Sequence, residues 1–335
     1  MIEFTIDTFV VEMLRSGIRL ATPIILAAIG AALCHRAGVL NFAIEGKMLF
    51  GAFFGIVAAF WLGNSYLGVA AALIGGGIIG ALFALFYLRY RVDLIILALA
   101  INLFISAMTV FFLRVSFGAF GSWTDPSIEQ LPDIHLPLIE SIPVLGRLLS
   151  GHNLVIYLSW VAAIAAWLVL FRTKFGRHIR AVGENPEAAE SVGINAARVK
   201  LFVLVTSGSL AAAAGAFLSV GHLTLFTSDM SNGRGWLGIT AALFGLNNPI
   251  FVFLAGLFFG VADALAVRLP TVTHIPPSLI QFLPNLSALL ALVLVGLRGP
   301  IRTRLARRRR RGRRGAGAGI ESLPPTGPPA TPTIS

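Results

Sequence analysis

The residues able to do chemistry are few, and most stand inside apolar runs. Glu45 and Lys47 lie two apart in GVLNFAIEGKMLFGAFFG, with Asn41 just ahead of them. Asn102 is flanked by Leu, Ile and Ala, and Asp263 sits in a later apolar block. An ionisable group at membrane depth is expensive and usually faces a bundle interior or a wet cavity. Glu45 therefore reads as a pathway residue hydrogen-bonding a solute hydroxyl, as a brace for the bent backbone before it, or, with Lys47, as an interfacial group meeting headgroups. Asn41 and Asn102 are neutral hydrogen-bonders. A lone amide in a bundle is either interhelical glue, worth about 0.6 kcal/mol, or a cavity group that reads a solute. Asp263 and Arg268 are little more than a turn apart and are expected to pair. Phe104, Phe111 and Phe112 are candidates for stacking on a planar solute, among 25 phenylalanines most of which must face lipid or core.

Covalent chemistry is poorly provided for. The only Gly-Lys pair, Gly46-Lys47, is followed by Met48 and lacks the upstream glycine of a phosphate-binding loop. The single cysteine, Cys34, excludes an intramolecular disulfide and a thiolate cluster, and the six histidines show no metal-binding spacing. No Ser/His/Asp constellation stands on a plausible loop, and no paired carboxylates share a segment. No metal, no bound cofactor and no intrinsic enzyme activity are expected.

What must position the polar residues is a membrane bundle. The 335 residues are 56% hydrophobic and only 12% charged, against about 25% charged in a soluble domain. The first sixteen residues carry three acids and lack a basic leader region, so no cleaved signal is expected. Crossing the hydrocarbon takes roughly 20 apolar residues, because each backbone amide must be satisfied within the segment. Nine candidate spans (within a range of eight to ten) fall near 17–34, 42–62, 66–88, 94–113, 153–171, 201–221, 235–246, 250–267 and 279–297. The seventh is short enough to be re-entrant. Pro23, Pro284 and Gly75–Gly76–Gly77 predict kinks or close packing. The GxxxG pairs Gly51/Gly55, Gly76/Gly80 and Gly256/Gly260 need no role beyond helix contact. The expected fold is an all-α, polytopic transmembrane bundle over 1–297.

Orientation follows the basic residues. Segment 172–200 holds Arg172, Lys174, Arg177, Arg180, Arg198 and Lys200 and is expected in the cytoplasm, with Arg89, Arg91 and the C-terminus. The connection 114–152, with Asp125, Glu129, Asp133 and Glu140, suits the opposite side. Nine spans then place the N-terminus outside. Residues 298–335 carry ten arginines and one acid, a charge of +9 out of the total +11. The alkaline balance thus describes a Pro-rich, disordered tail that meets lipid headgroups or marks orientation, and nucleic acid is not an expected partner.

Within the cytoplasmic segment, GENPEAAESVGI (183–194) reads as a short capped helix. Asn185 and Pro186 suit the N-cap and first helical position, and Glu187 and Glu190 favour the positive end of the helix dipole. Ala188, Ala189 and Val192 are spaced to share a face, and Gly193 ends the helix with Ile194 packed beside it. By itself this is an ordered loop helix.

PEAAESVGI resembles the E-A-A-x-x-x-G loop of ATP-binding-cassette (ABC) importer permeases, and the surrounding GRHIRAVGENPEAAESVGINAARVK is similar to the whole loop of the branched-chain amino acid, ribose and nucleoside permease family. RAGVLNFAIEGKMLFGAFFG (36–55), LALAINLFISA (97–107) and GRGWLGITAALFGLNNPIFVFLAGLFFGVADAL (233–265) resemble that family's core motifs. The likeness spans most of residues 15–298 and leaves out the Arg/Pro tail. It implies that Pro186, Glu187, Ala188, Ala189 and Gly193 form a coupling helix gripped by a separate cytoplasmic ATPase, which binds the ATP. It further implies a second permease subunit, homologous or identical, and a periplasmic or lipoprotein solute-binding protein. It also implies residence in a bacterial inner membrane, and a pathway touching Asn41, Glu45 and Asn102. The E-G-x-M-L continuation is closest to nucleoside permeases; sugars and branched-chain amino acids are the alternatives. An ion-coupled secondary transporter is the competing class, and it should show paired broken helices in an internal repeat, of which the sequence gives no convincing trace.

Overall fold

The computed structural model describes residues 6–135 and 145–272, with Leu286, Leu289 and Val293 alone beyond them. The chain divides into Met1–Leu289 and Leu290–Ser335, and every element below belongs to the first unit. Pro284, the expected span at 279–297 and the basic tail lie outside the described residues, those three positions aside.

The helices in chain order are α1 (Ile6–Arg36), α2 (Ile44–Leu62), α3 (Ser65–Arg89), α4 (Leu94–Phe117), α5 (Leu145–Leu149), α6 (Leu154–Arg172), α7 (Lys174–Glu184), α8 (Pro186–Ser191), α9 (Ala196–Ala216), α10 (Arg234–Phe244) and α11 (Pro249–Val272). Strands β1 (Ser122–Trp123), β2 (Asp133–Ile134), β3 (His152–Asn153) and β4 (Phe226–Thr227) pair antiparallel as β1 with β4 and β2 with β3. The architecture is the helical bundle expected, with two short ladders added in the connections.

Among the described residues, seven helices are long and apolar enough to cross a membrane: α1 to α4, α6, α9 with its extension, and α11. The expected count of about nine is not confirmed among the described residues, which leave out the span expected at 279–297. The seventh expected span is α10, and its 11 residues rise about 16 Å against roughly 30 Å of hydrocarbon. Polar caps set several helix starts. The side chains of Asn64, Asp93, Asn153 and Asn195 each accept from backbone N–H groups of the first turn that follows.

Helix α9 lies at the centre, and small residues let its neighbours approach it. A Cβ on Gly76 or Gly80 of α3 would overlap Gly208 or Leu204, one on Gly51 would overlap Ala212, and one on Gly55 would meet Ala216. The third GxxxG pair packs α11 on α1, with Gly256 against Ile25 and Gly260 against Ala21. All three pairs are therefore packing surfaces, as the spacing allowed. Outward faces are apolar: Ile96, Leu103, Phe104, Phe111 and Val115 of α4 are exposed, as are Ile74 and Ile78 of α3.

Beyond Ala216 the chain widens into a π-helix, Phe217–Leu223. Side chains from the preceding connection satisfy the carbonyls at its end. Asn153 Nδ2 donates to Gly221 O at 2.8 Å, and Gln130 Nε2 to Gly221 O at 3.4 Å and His222 O at 3.3 Å. The chain then returns through β4 and an irregular run in which Asp229, Asn232 and Gly233 all have positive φ. Helix α10 follows.

Candidate functional site

Two helices begin beside one another deep in this bundle, and neither is capped from its own N-cap position. Ala43 precedes α2 and Gly233 precedes α10, and neither supplies a side-chain cap. An N-terminus leaves four backbone N–H groups without helical partners, and in a membrane core no bulk water takes them. Other helices supply the acceptors. Asn102 on α4 accepts from Gly46 N–H at 2.8 Å through Oδ1 and donates to Phe42 O at 3.0 Å through Nδ2. Glu45 on α2 accepts from Gly233 N–H and Gly235 N–H at 2.8 Å each, one on each carboxylate oxygen. A carboxylate at a helix N-terminus also meets the positive end of the dipole. Gly235 must be glycine for this: an added Cβ would lie 2.6 Å from Glu45 Oε2 and 2.7 Å from Glu45 Cα.

The two capped termini border a cavity of about 250 Å³ lined by Glu45, Gly46, Leu49, Asn102, Ser106, Asp229, Ser231, Asn232 and Gly233. Ser106 Oγ donates to Asp229 Oδ1 at 2.8 Å across it. Among the described residues, no lysine, arginine or histidine lines it. A larger hollow of about 570 Å³ on the outer face of α4, bounded by Leu103, Ser106, Ala107, Val110, Phe111 and Arg114, shares Ser106 with it. Polar groups on irregular backbone beside half-helices are the arrangement membrane transporters use for solute sites.

Of the three residues expected along a pathway, the structure brings Glu45 and Asn102 together in this cavity. Asn41 is not among its lining residues. It is 1% exposed, and its amide joins three elements: Nδ2 donates to Ser207 Oγ at 3.1 Å, while Oδ1 accepts from Ala43 N–H and Lys47 Nζ at 3.2 Å each. Lys47 is fully buried, its ammonium 4.4 Å from the centre of the Phe83 ring; it does not meet headgroups. Phe111 borders the α4 hollow, whereas Phe104 and Phe112 line neither space.

The expected pairing of Asp263 with Arg268 does not form. Asp263 Oδ2 accepts from Arg234 Nε and Nη2 at 3.2 and 3.0 Å, and Arg268 Nη2 donates to Ser16 Oγ at 2.7 Å. Residues five apart point about 140° away from each other on a helix, so Asp263 meets the arginine that α10 brings to it.

The α8 end of the bundle carries the other candidate element. Asn185 Oδ1 accepts from Ala188 N–H at 3.0 Å with Pro186 in the first turn. The helix closes by a paired ending: Ile194 N–H donates to Ala189 O at 3.0 Å and Gly193 N–H to Glu190 O at 2.9 Å, with Gly193 at φ +84°. Only part of the expected apolar face is buried. Ala189 faces inward, while Pro186, Glu187, Ala188, Val192 and Gly193 are exposed. Val192 is 74% exposed, because the left-handed ending turns the chain away after Ser191. Helix α7, unforeseen in the sequence, packs Gly176, Ile179 and Val182 against the bundle. That spacing of three was its available signal. Ser106, Asp229, Ser231 and Asn232 were also unforeseen, and short polar residues among apolar ones gave little to single them out.

Against the model of a protein family described as the branched-chain amino acid transport system permease component, residues 13–297 match. The chain belongs to this family. Three curated relatives resemble this permease over most of both chains. The nucleoside ABC transporter permease protein NupC of Lactococcus lactis is 33% identical over 82% of this chain and 89% of its own. The guanosine ABC transporter permease protein NupQ of Bacillus subtilis is 32% identical over 81% and 88%. A putative glucose ABC transporter permease protein of Haloferax volcanii is 30% identical over 78% and 78%. The chain is thus a multi-pass membrane permease of the ABC transporter class.

Proposed function

We propose that this permease forms one half of the pathway of an ABC importer for nucleosides, with the cavity at Glu45, Asn102 and Asp229 as its solute site. The observation that carries the substrate is the match to the nucleoside and guanosine permeases through more than four-fifths of the chain. In this reading α7 and α8 face the cytoplasm, and an ATPase made elsewhere grips the exposed Pro186, Glu187, Ala188 and Gly193, with Ala189 buried behind them. A second permease subunit covers the exposed face of α4, and a solute-binding protein delivers from outside. Residues 224–233, with β4 among them, and α10 together complete an eighth crossing. The glucose permease among the relatives supports a sugar as the second reading.

Transport depends on two bundle arrangements that expose one weak site to each side in turn. The chain needs no reacting group for that, and ATP is bound by the partner. The test is uptake into vesicles holding both permease subunits, the ATPase and the binding protein. Uptake of labelled adenosine should require ATP and be competed by unlabelled guanosine but not by glucose. Uptake driven by an imposed ion gradient without ATP would overturn the class, and competition by glucose alone would exchange the substrate for a sugar.

A further inference from the structure

Among the polar groups facing the cavity, the two found from sequence are already engaged. Both carboxylate oxygens of Glu45 hold α10, and both ends of the Asn102 amide hold α2. Asp229 is different. Its Oδ1 accepts from Ser106, and its Oδ2 takes part in none of the described hydrogen bonds. It is exposed to the cavity, and φ +55° holds it in a left-handed conformation that aspartate tolerates better than most residues. Ser106 is the thirteenth of the 24 residues of α4, so the carboxylate it holds stands at mid-span. An ionised group there is costly unless donors reach it. The nearest arginine in the chain, Arg234, is engaged by Asp263. Arg114, further along α4, stacks on Phe120 at 4.7 Å.

Among the described residues, the cavity is therefore rich in acceptors and has no cationic side chain in its lining. We infer that Asp229 is the specificity-determining residue of the permease: its carboxylate accepts from vicinal hydroxyls of an uncharged solute, and with Glu45 it excludes solutes bearing phosphate. A cis-diol supplies two donors to a carboxylate whose free oxygen has none. A phosphate brings acceptors and negative charge against two carboxylates. The inference rests on the nucleoside reading and narrows it to unphosphorylated ribosides.

The test uses the complete transporter in vesicles, with Asp229→Asn and Asp229→Glu checked for membrane abundance and ATPase association. The probes are labelled adenosine, 2′,3′-dideoxyadenosine and adenosine 5′-monophosphate. Because the binding protein is common to all variants, changes in the uptake ratio report on the permease. Charge-assisted hydrogen bonds are about twice as strong as neutral ones. Asp229→Asn should therefore lower Vmax/KM for adenosine by about tenfold or more, leave the dideoxy compound within about twofold, and be partly rescued by Asp229→Glu. Equal losses on both nucleosides, no loss on either, or wild-type uptake of the monophosphate matching adenosine would each overturn the inference while leaving the nucleoside reading standing. A wild type that imports no adenosine overturns the nucleoside reading itself, and the inference falls with it.

Discussion

Removing the Glu45 carboxylate should unfasten α10 before it does anything else. Glu45→Ala leaves Gly233 and Gly235 N–H groups, each now donating at 2.8 Å, without acceptors at the start of an 11-residue helix. A hydrogen bond to a charged group contributes about 1.5–3 kcal/mol, which for two bonds sets a ceiling near 6 kcal/mol. Polar contacts between membrane helices average nearer 0.6 kcal/mol, since the unfolded chain finds partners too. A loss of about 2–4 kcal/mol lies between these limits, and it corresponds to about 30- to 700-fold faster exchange of amides that open with α10. Hydrogen exchange of the solubilised protein, read on peptides covering 233–240, is the assay. Glu45→Gln keeps one acceptor and turns an amide donor towards the second N–H, so it should give about half the effect. Gly235→Ala pushes on the same contact from the other side. The double variant should therefore lose less than the sum of the singles, as coupled neighbours do. Unchanged exchange in Glu45→Ala together with a weakened uptake constant would refute the capping argument and make Glu45 a solute ligand instead.

The same logic gives Asn102→Leu a structural phenotype: without its bonds to Gly46 and Phe42, α2 should fray at its start, lowering thermal stability by about 1–2 kcal/mol. Normal stability with altered uptake would contradict this. Gly193→Ala forces a side chain into φ +84° in otherwise open space, costing about 1–2 kcal/mol locally. The protein should keep its unfolding temperature and lose transport and ATPase copurification; normal transport would show that this ending does not matter. His152 donates from Nε2 to Leu148 O at 2.9 Å with Nδ1 buried and unpartnered, and burial, with Arg19 and Arg15 nearby, pulls its pKa below the ordinary 6.5. The unfolded chain takes up a proton that the folded chain refuses. Stability is therefore full above that ordinary value and falls as pH drops below it. A melting series from pH 8 to 5 should show a steeper loss in the wild type than in His152→Gln, and parallel curves would refute it.

The bundle and its α8 end are legible in the sequence because their signals are local. Apolar runs announce the long helices, and Asn185-Pro186 and Gly193 punctuate α8 within nine residues. The short seventh span also carried its own sign, too few apolar residues to cross. What the sequence could not display is pairing at a distance. Glu45 meets residues 188 and 190 positions away, and Asn102 meets Gly46 from 56 away. Their roles as caps exist only once α2, α4 and α10 are packed. Asp263 failed for the same reason: the nearest arginine in sequence lay on the same helix but the wrong face, and the one in reach came from α10. Of the alternatives open for Glu45 and Lys47, the interfacial one does not hold for Lys47, because Asn41 and the Phe83 ring accommodate the ammonium inside.

Helix α10 is held at both ends by side chains of other helices, and this ties the cavity to the α8 end. At its start stands Glu45. Past its end Leu246 and Asn247 both have positive φ, and α1 secures them: Arg36 donates from Nε to Asn247 O at 2.9 Å and from Nη2 to Leu246 O at 3.0 Å, and His35 Nδ1 lies 3.0 Å from Asn247 Oδ1. The turn after Arg36 is itself packed on α7, where a Cβ on Gly183 would overlap Arg36 O and one on Gly38 would lie 3.2 Å from Gly183 O. A half-helix clamped this way moves as a rod, because bending it would break bonds that a membrane core cannot replace. In the proposed importer, an ATPase acting on α7 and α8 would push on Arg36, and through it on the end of α10 and on Gly233 at the cavity wall. Stiffness along that route is what a capped half-helix provides and a continuous, lipid-facing span would not. The polar cavity and the short helix are therefore one feature: irregular backbone at mid-depth opens the cavity, and the caps on α2 and α10 hold that backbone in place.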